Sequence, residues 1–108
     1  MAGKFVIETS KDGKFFFNLV AGNGERVLHS EMYNAKSSAV DGIESVKKNA
    51  VLDAAYERMV SKKGKDYFVL KAANHQVIGT SEEYSSKSAM EDGIGVIKKL
   101  APTAEVKE

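Results

Sequence analysis

The sequence predicts an α+β protein: two tandem β-β-β-α-β repeats that build one largely antiparallel sheet, with two helices on one face and a pseudo-twofold axis between the copies. Three observations carry this expectation. The chain matches itself without a gap at an offset of 51 positions. Each copy contains short apolar runs separated by Gly-containing turns, and each then carries an apolar stripe at helical spacing.

The offset aligns Gly13 with Gly64, Phe17 with Phe68, Leu19 with Leu70 and Asn23 with Asn74. Farther along it pairs Ser30 with Ser81, Glu31 with Glu82, Tyr33 with Tyr84 and Lys36 with Lys87. It ends by pairing Asp41-Gly42-Ile43 with Asp92-Gly93-Ile94, and Lys47-Lys48 with Lys98-Lys99. Two copies of one supersecondary unit follow, residues 3–53 and 54–107, inside a single domain spanning 1–108. A copy of about fifty residues has a one-sided sheet and little to pack it against, so the second copy is the partner of the first.

Taken in order, each copy opens with a strand, "KFVIET" or "AYERMV", and turns at "KDGK" or "KKGK". The second strand is "FFFNLV" or "DYFVLK". Asn23-Gly24 then signals a type I′ hairpin, because both residues tolerate positive φ, and Asn74-His75 is a weaker version of it. A third strand, "ERVLHS" or "QVIGTS", leads to the Tyr and the helix. Asn34 and Ser85 hold the position expected to cap each helix. The apolar stripes are Ala39, Ile43, Val46, Ala50 and Met90, Ile94, Ile97, Ala101. Lysine pairs close the helices where the dipole favours cations. Gly42 and Gly93 break the helical pattern at a cost of roughly 1 kcal/mol against alanine, which implies close backbone approach there. "VLDA" and "TAEVK" are each expected to form an edge strand.

Composition narrows the function classes. Sixteen Lys and Arg against fifteen Asp and Glu leave a net charge of +1, without the basic field of a dedicated phosphate-backbone binder. The absence of cysteine excludes disulfides and thiolate chemistry and fits a cytoplasmic protein. No run approaches the ~20 apolar residues that cross a bilayer, so no membrane role is expected.

Chemical motifs are sparse. His29 and His75 hold different repeat positions and share no zinc-ligand spacing, so neither a metal nor a cofactor is expected. Ser45-Val46-Lys47-Lys48 has the Ser-x-x-Lys spacing of some serine enzymes but none of their companion motifs. Gly93-Ile94-Gly95 lies inside a helix pattern, with Lys98 where a dinucleotide loop needs its third glycine. Glu31, Glu82 and Glu83 read as loop carboxylates before the helices. Lys36, Ser85, Ser86 and Lys87 surround the helix starts, where hydroxyls and free amides cap a helix or hold an anion. Phe16, Asn18, Arg58, Tyr67 and Lys71 are expected to share the sheet face away from the helices, as a mixed aromatic and basic platform of the kind that stacks single-stranded bases.

The segments "YNAKSSAVDGIESVKKNA" and "LKAANHQVIGTSEEYSSKSAMEDGIGVIKK" resemble the YegP-like family of uncharacterised bacterial proteins, in its duplicated form. The resemblance spans about Gly3 to Ala101. It implies a single sheet with one helix per unit, units that exchange their carboxy-terminal strands, and dimeric pairing of members with one copy. It brings no activity, cofactor or catalytic residue.

The resulting expectation is a noncatalytic binding or interaction module, monomeric because both halves lie on one chain, with a protein or small-molecule partner. Weak single-stranded nucleic-acid binding through the platform is the alternative. An anion-binding or enzymatic site at the helix starts is the third reading.

Overall fold

The computed structural model describes residues 3–107. The first repeat supplies β1 (Lys4–Thr9), β2 (Phe15–Val20), β3 (Arg26–His29) and α1 (Lys36–Asn49). After a 3-10 turn at Asp53–Ala55, the second supplies β4 (Tyr56–Val60), β5 (Asp66–Lys71), β6 (Val77–Thr80) and α2 (Lys87–Leu100). A second 3-10 turn, Ala101–Thr103, leads to β7 (Glu105–Lys107). All seven strands form one sheet in the order β4-β5-β6-β3-β2-β1-β7. Every pairing is antiparallel except that of β7 with β1. The pseudo-twofold axis passes between β3 and β6, where His29 stands opposite Thr80.

Strand alternation sorts the side chains. Phe5, Leu19 and Leu28 fall in one cross-strand row and Tyr56, Leu70 and Gly79 in its counterpart, all on the face covered by the helices. The helices meet this face with the expected stripes: Ala39, Ile43 and Val46 are buried on α1, and Met90, Ile94 and Ile97 on α2. The aromatic core is duplicated. Phe17 stacks on Tyr33 at 6.2 Å and 8°, and Phe68 stacks on Tyr84 at 6.3 Å and 9°. Phe5 and Tyr56 pack edge-on against those phenylalanines. At the axis the symmetry is broken. A Cβ placed on Gly79 would lie 2.7 Å from Leu28 Cγ, so the leucine of one copy fills the space that glycine leaves in the other.

Ser30 and Ser81 shape the route into each helix. The buried Ser30 hydroxyl accepts from the Phe17 N–H at 2.8 Å and donates to the Glu31 carbonyl, and Ser81 does the same for Phe68 and Glu82. The side chain thus takes over a ladder bond where the third strand peels away. That role leaves no mark in hydrophobic periodicity.

Three local expectations are corrected. The hairpins are not type I′: the Gly24 N–H bonds the Ala21 carbonyl, the Ala21 N–H bonds the Glu25 carbonyl, and Gly24 is the left-handed residue at φ +87. These are three-residue loops closed by one left-handed position, which His75 fills in the second copy at φ 69. Asn23 and Asn74 contribute side-chain oxygens instead, accepting from the N–H groups of Glu25 and Gln76. The helix caps are Ala35 and Ser86, one residue beyond Asn34 and Ser85. Ser86 Oγ accepts from the Ala89 N–H, whereas Ala35 has no side chain able to do so. "VLDA" forms no edge strand: its last two residues begin the 3-10 turn, because this segment must carry the chain directly from α1 into β4. "TAEVK" does form one, and β7 of the second repeat lies along β1 of the first; with no strand at "VLDA", the exchange that the resemblance implies runs in one direction only.

The helical glycines answer to Tyr33 and Tyr84. A Cβ on Gly42 would sit inside contact distance of Tyr33 Oη, 2.9 Å from its Cζ and 3.0 Å from Phe17 Cε2. On Gly93 it would lie 2.7 Å from Tyr84 Cζ, but on Gly95 it meets nothing within 4 Å. Overpacking of ~1–3 kcal/mol exceeds the ~1 kcal/mol helical gain at the stacked site. Thermal unfolding is therefore expected to show Gly42→Ala destabilised by up to about 2 kcal/mol, and Gly95→Ala stabilised by about 0.5–1 kcal/mol. Ala35→Ser, which restores the cap seen at Ser86, is expected to stabilise the fold by about 1 kcal/mol in denaturant titration.

Candidate binding face

The face opposite the helices is crossed by one continuous row of side chains. Lys107, Val6, Asn18, His29, Thr80, Val69 and Glu57 stand opposite one another in turn, one from each strand from β7 to β4. Glu8 and Phe16 pair on one side of this row, and Met59 and Tyr67 at the equivalent place in the second copy.

The two halves of the face differ in chemistry. In the first, Asn18 is only 3% exposed and bridges two polar groups. Its Nδ2 donates to Glu8 Oε2 at 3.2 Å, which turns Oδ1 toward His29 Nδ1 at 2.7 Å. A carboxamide oxygen only accepts, so His29 Nδ1 carries the proton and its Nε2 is the nitrogen left for other partners. The His29 ring leans on Phe16 at 5.3 Å. In the second half Met59, Val69 and Thr80 replace Glu8, Asn18 and His29, so the three-residue polar chain has no counterpart there, and the charges of that half are those of Lys71 and Glu57.

Four of the five platform residues named from sequence do share this face, and Arg58 does not. Phe16 and Tyr67 are half-buried on strands separated by β3 and β6. Three strand spacings across the sheet and an offset of about four residues along it put them roughly 20 Å apart, so they do not form one stacking platform. Lys71 is paired with Glu57 on the same face. Arg58 stands opposite Phe68, on the helix side. There it grips Glu91 of α2 through Nε at 2.6 Å and Nη2 at 3.0 Å, and Asp53 at 3.1 Å. Alternation places a residue on a face only once the strand register is known, and it is Glu57 and Met59, the neighbours of Arg58, that take the open side of β4.

The helix-start residues also separate. Lys36 opens α1 and Lys87 opens α2, and Ser86 Oγ is engaged by its own helix, with Ser85 just outside. Among the described residues no group of three or more His, Cys, Asp or Glu is arranged to hold a metal. No helix among them is long and apolar enough to cross a membrane. The Glu-Asn-His chain was missed by sequence reasoning because its members come from three strands and meet only through register.

Electrostatic shifts concentrate around Arg58. Hydrogen bonds from Lys98 and then Arg58 hold the Asp53 carboxyl below the usual carboxylate range, and the Arg58 hydrogen bond does the same for Glu91. Burial raises the Tyr56 hydroxyl, which donates to the Ala50 carbonyl at 2.6 Å.

Fold and face together define a duplicated α+β module with a helix-backed sheet. The chain belongs to the family described as a domain of unknown function, DUF1508, which matches it twice, over residues 10–57 and 61–108. It is 54% identical to the UPF0339 protein ACIAD0721 of Acinetobacter baylyi over 108 residues, covering 100% of this chain and 97% of the relative. It is 45% identical to the UPF0339 protein YegP of Escherichia coli K12, over 100% of this chain and 98% of that one. Two solution NMR structures share the fold. One is the UPF0339 protein SO3888 of Shewanella oneidensis, with a TM-score of 0.92 and 47% identity over 99% of this chain and 91% of that one. The other is yegP of E. coli, described as a protein of unknown function, with a TM-score of 0.93 and 46% identity over 99% and 92%. The resemblance to the YegP-like family and the single helix-backed sheet are thus both borne out.

Carboxylates with depressed folded-state pKa add stability above their unfolded pKa and lose it as pH falls through the folded value. Arg58→Gln is therefore expected to lower the melting temperature at neutral pH and to make the decline between about pH 5 and pH 2 shallower than in wild type. Thermal melts across that range check both.

Proposed function

We propose that this chain is a small noncatalytic binding module that seats another protein on the open face of its sheet. The observation that carries the reading is the pattern on that face. Half-buried aromatics, Phe16 and Tyr67, lie among polar side chains already partnered within the chain, Lys71 with Glu57 as an ion pair and Glu8, Asn18 and His29 as a hydrogen-bonded chain. Protein interfaces combine aromatic anchors with satisfied polar groups in this way, since matched charges cost less to desolvate. Nucleic acid is the weaker reading, because Arg58 is committed to Glu91 and Asp53 on the other side and Lys71 is neutralised in place. We place the module in the cytoplasm, on its lack of cysteine, and as a monomer, since the surface a single repeat would bury against a partner is met within the chain.

Photo-crosslinking side chains placed at positions 16 and 67 in the native cell test the reading. A defined protein adduct is expected at both positions, absent from a crosslinker at Val40 on the exposed side of α1 and lost when Asn18→Ala disrupts the polar half of the face. Equal trapping at Val40, or trapping of oligonucleotide in place of protein, would overturn it. Turnover of a substrate abolished by one point mutation would overturn the noncatalytic part.

A further inference from the structure

The two copies share a carboxylate at one position and differ in what meets it. Glu31 and Glu82 are equivalent at the repeat offset, as are Val77 and Arg26. In one half of the molecule Arg26 Nε lies 3.8 Å from Glu82 Oε2, reaching across the seam between β3 and the segment that follows β6. In the other half Val77 stands where that arginine would be. Glu31 makes no ion pair there among the described residues.

A groove of about 520 Å³ opens at that place, between α1 and the β5–β6 hairpin. Its lining includes Glu31, Tyr33 and Asp41 on the α1 side and Asn74, Gln76 and Val77 on the hairpin side. The volume falls within the range of about 300–1,000 Å³ that holds small ligands. Gly42 lies against Tyr33 at its base, and the stack of Tyr33 on Phe17 makes that wall rigid. The Tyr33 hydroxyl is raised in pKa first by burial and then by the charge of Glu31, which puts the carboxylate within electrostatic reach of the ring's polar end.

We propose that this groove binds a small molecule bearing a guanidinium or primary ammonium group, which takes the place beside Glu31 that Arg26 takes beside Glu82. The protein carries its own template for the contact. Glu31 supplies the counter-charge, and Asp41 supplies a second carboxylate for a further cationic or hydroxyl group on the ligand. Val77 gives an apolar wall for its methylene chain, and Asn74 and Gln76 bound the far side. A planar guanidinium matches a carboxylate through two parallel hydrogen bonds, so it should bind better than an ammonium of equal charge. The groove lies on the helix side of the sheet, and the proposal stands or falls apart from any partner on the open face.

Agmatine, which carries one guanidinium and one ammonium, is the probe, titrated into the full chain and followed by amide chemical shifts. Saturable shifts are expected at Glu31, Tyr33, Asp41 and Val77. Val77→Arg should fill the groove from within and weaken binding at least about tenfold, as loss of a charge-assisted hydrogen bond implies. Glu31→Gln, at an exposed carboxylate, should weaken it similarly without touching the core. Arg26→Val should open the equivalent groove in the other half and add a second set of shifts around Glu82 and Asp92. Shifts that are unchanged in both Val77→Arg and Glu31→Gln, that spread over all acidic residues, or that are missing altogether would overturn the proposal.

Discussion

The structure depends on a seam that neither half can make alone. β3 and β6 meet at His29 and Thr80, and beside them the Leu28 side chain occupies the space above Gly79. A unit of three strands with one helix would leave the hydrogen-bonding edge of its third strand unpaired, and a fifty-residue unit buries too little surface to stand by itself. Joining the units along the seam produces one seven-stranded layer beneath two helices. The β7 strand reinforces the union by crossing to the outer edge of the first repeat. Two identical copies would place two leucines or two glycines at the axis, giving either a clash or a void. Fusion on one chain lets the two positions diverge, and they have.

That freedom explains where the repeats differ. Positions that build the unit are kept in both: the Ser30 and Ser81 hydroxyls, the Tyr33 and Tyr84 stacks, and the Gly42 and Gly93 notches that receive them. Other positions diverge, including Asn18 against Val69, His29 against Thr80 and Arg26 against Val77. The core pattern is duplicated and the surface pattern is not. Duplication has thus produced a symmetric scaffold with two unlike halves of sheet face and one vacated groove.

The link between the repeats is also asymmetric. Symmetry would send the end of the first repeat alongside β4 as β7 runs alongside β1, but those residues have to continue into β4 itself. Arg58 holds this region together, tying the Asp53 turn to Glu91 on α2, while Lys98 reaches the same aspartate from about two turns farther along that helix. The guanidinium that looked like part of a binding platform in the linear sequence is a strut between the linker and the second helix.

The sequence by itself determined the repeat, the order of its elements apart from the strand expected at "VLDA", the buried stripes of both helices and the close approach at Gly42. These follow from identity at a fixed offset and from periodicity, which are local properties of the chain. It also placed Phe16, Asn18, Tyr67 and Lys71 on one face through strand alternation. Only the tertiary structure decided that Arg58 points away from them, that Ala35 and Ser86 are the caps, and that each hairpin loop has three residues. It alone joined Glu8, Asn18 and His29 and left Glu31 without the arginine that its twin possesses. Each of these turns on register between strands distant in sequence, or on a one-residue shift at an element's end, and a change of one position reverses a side chain's direction.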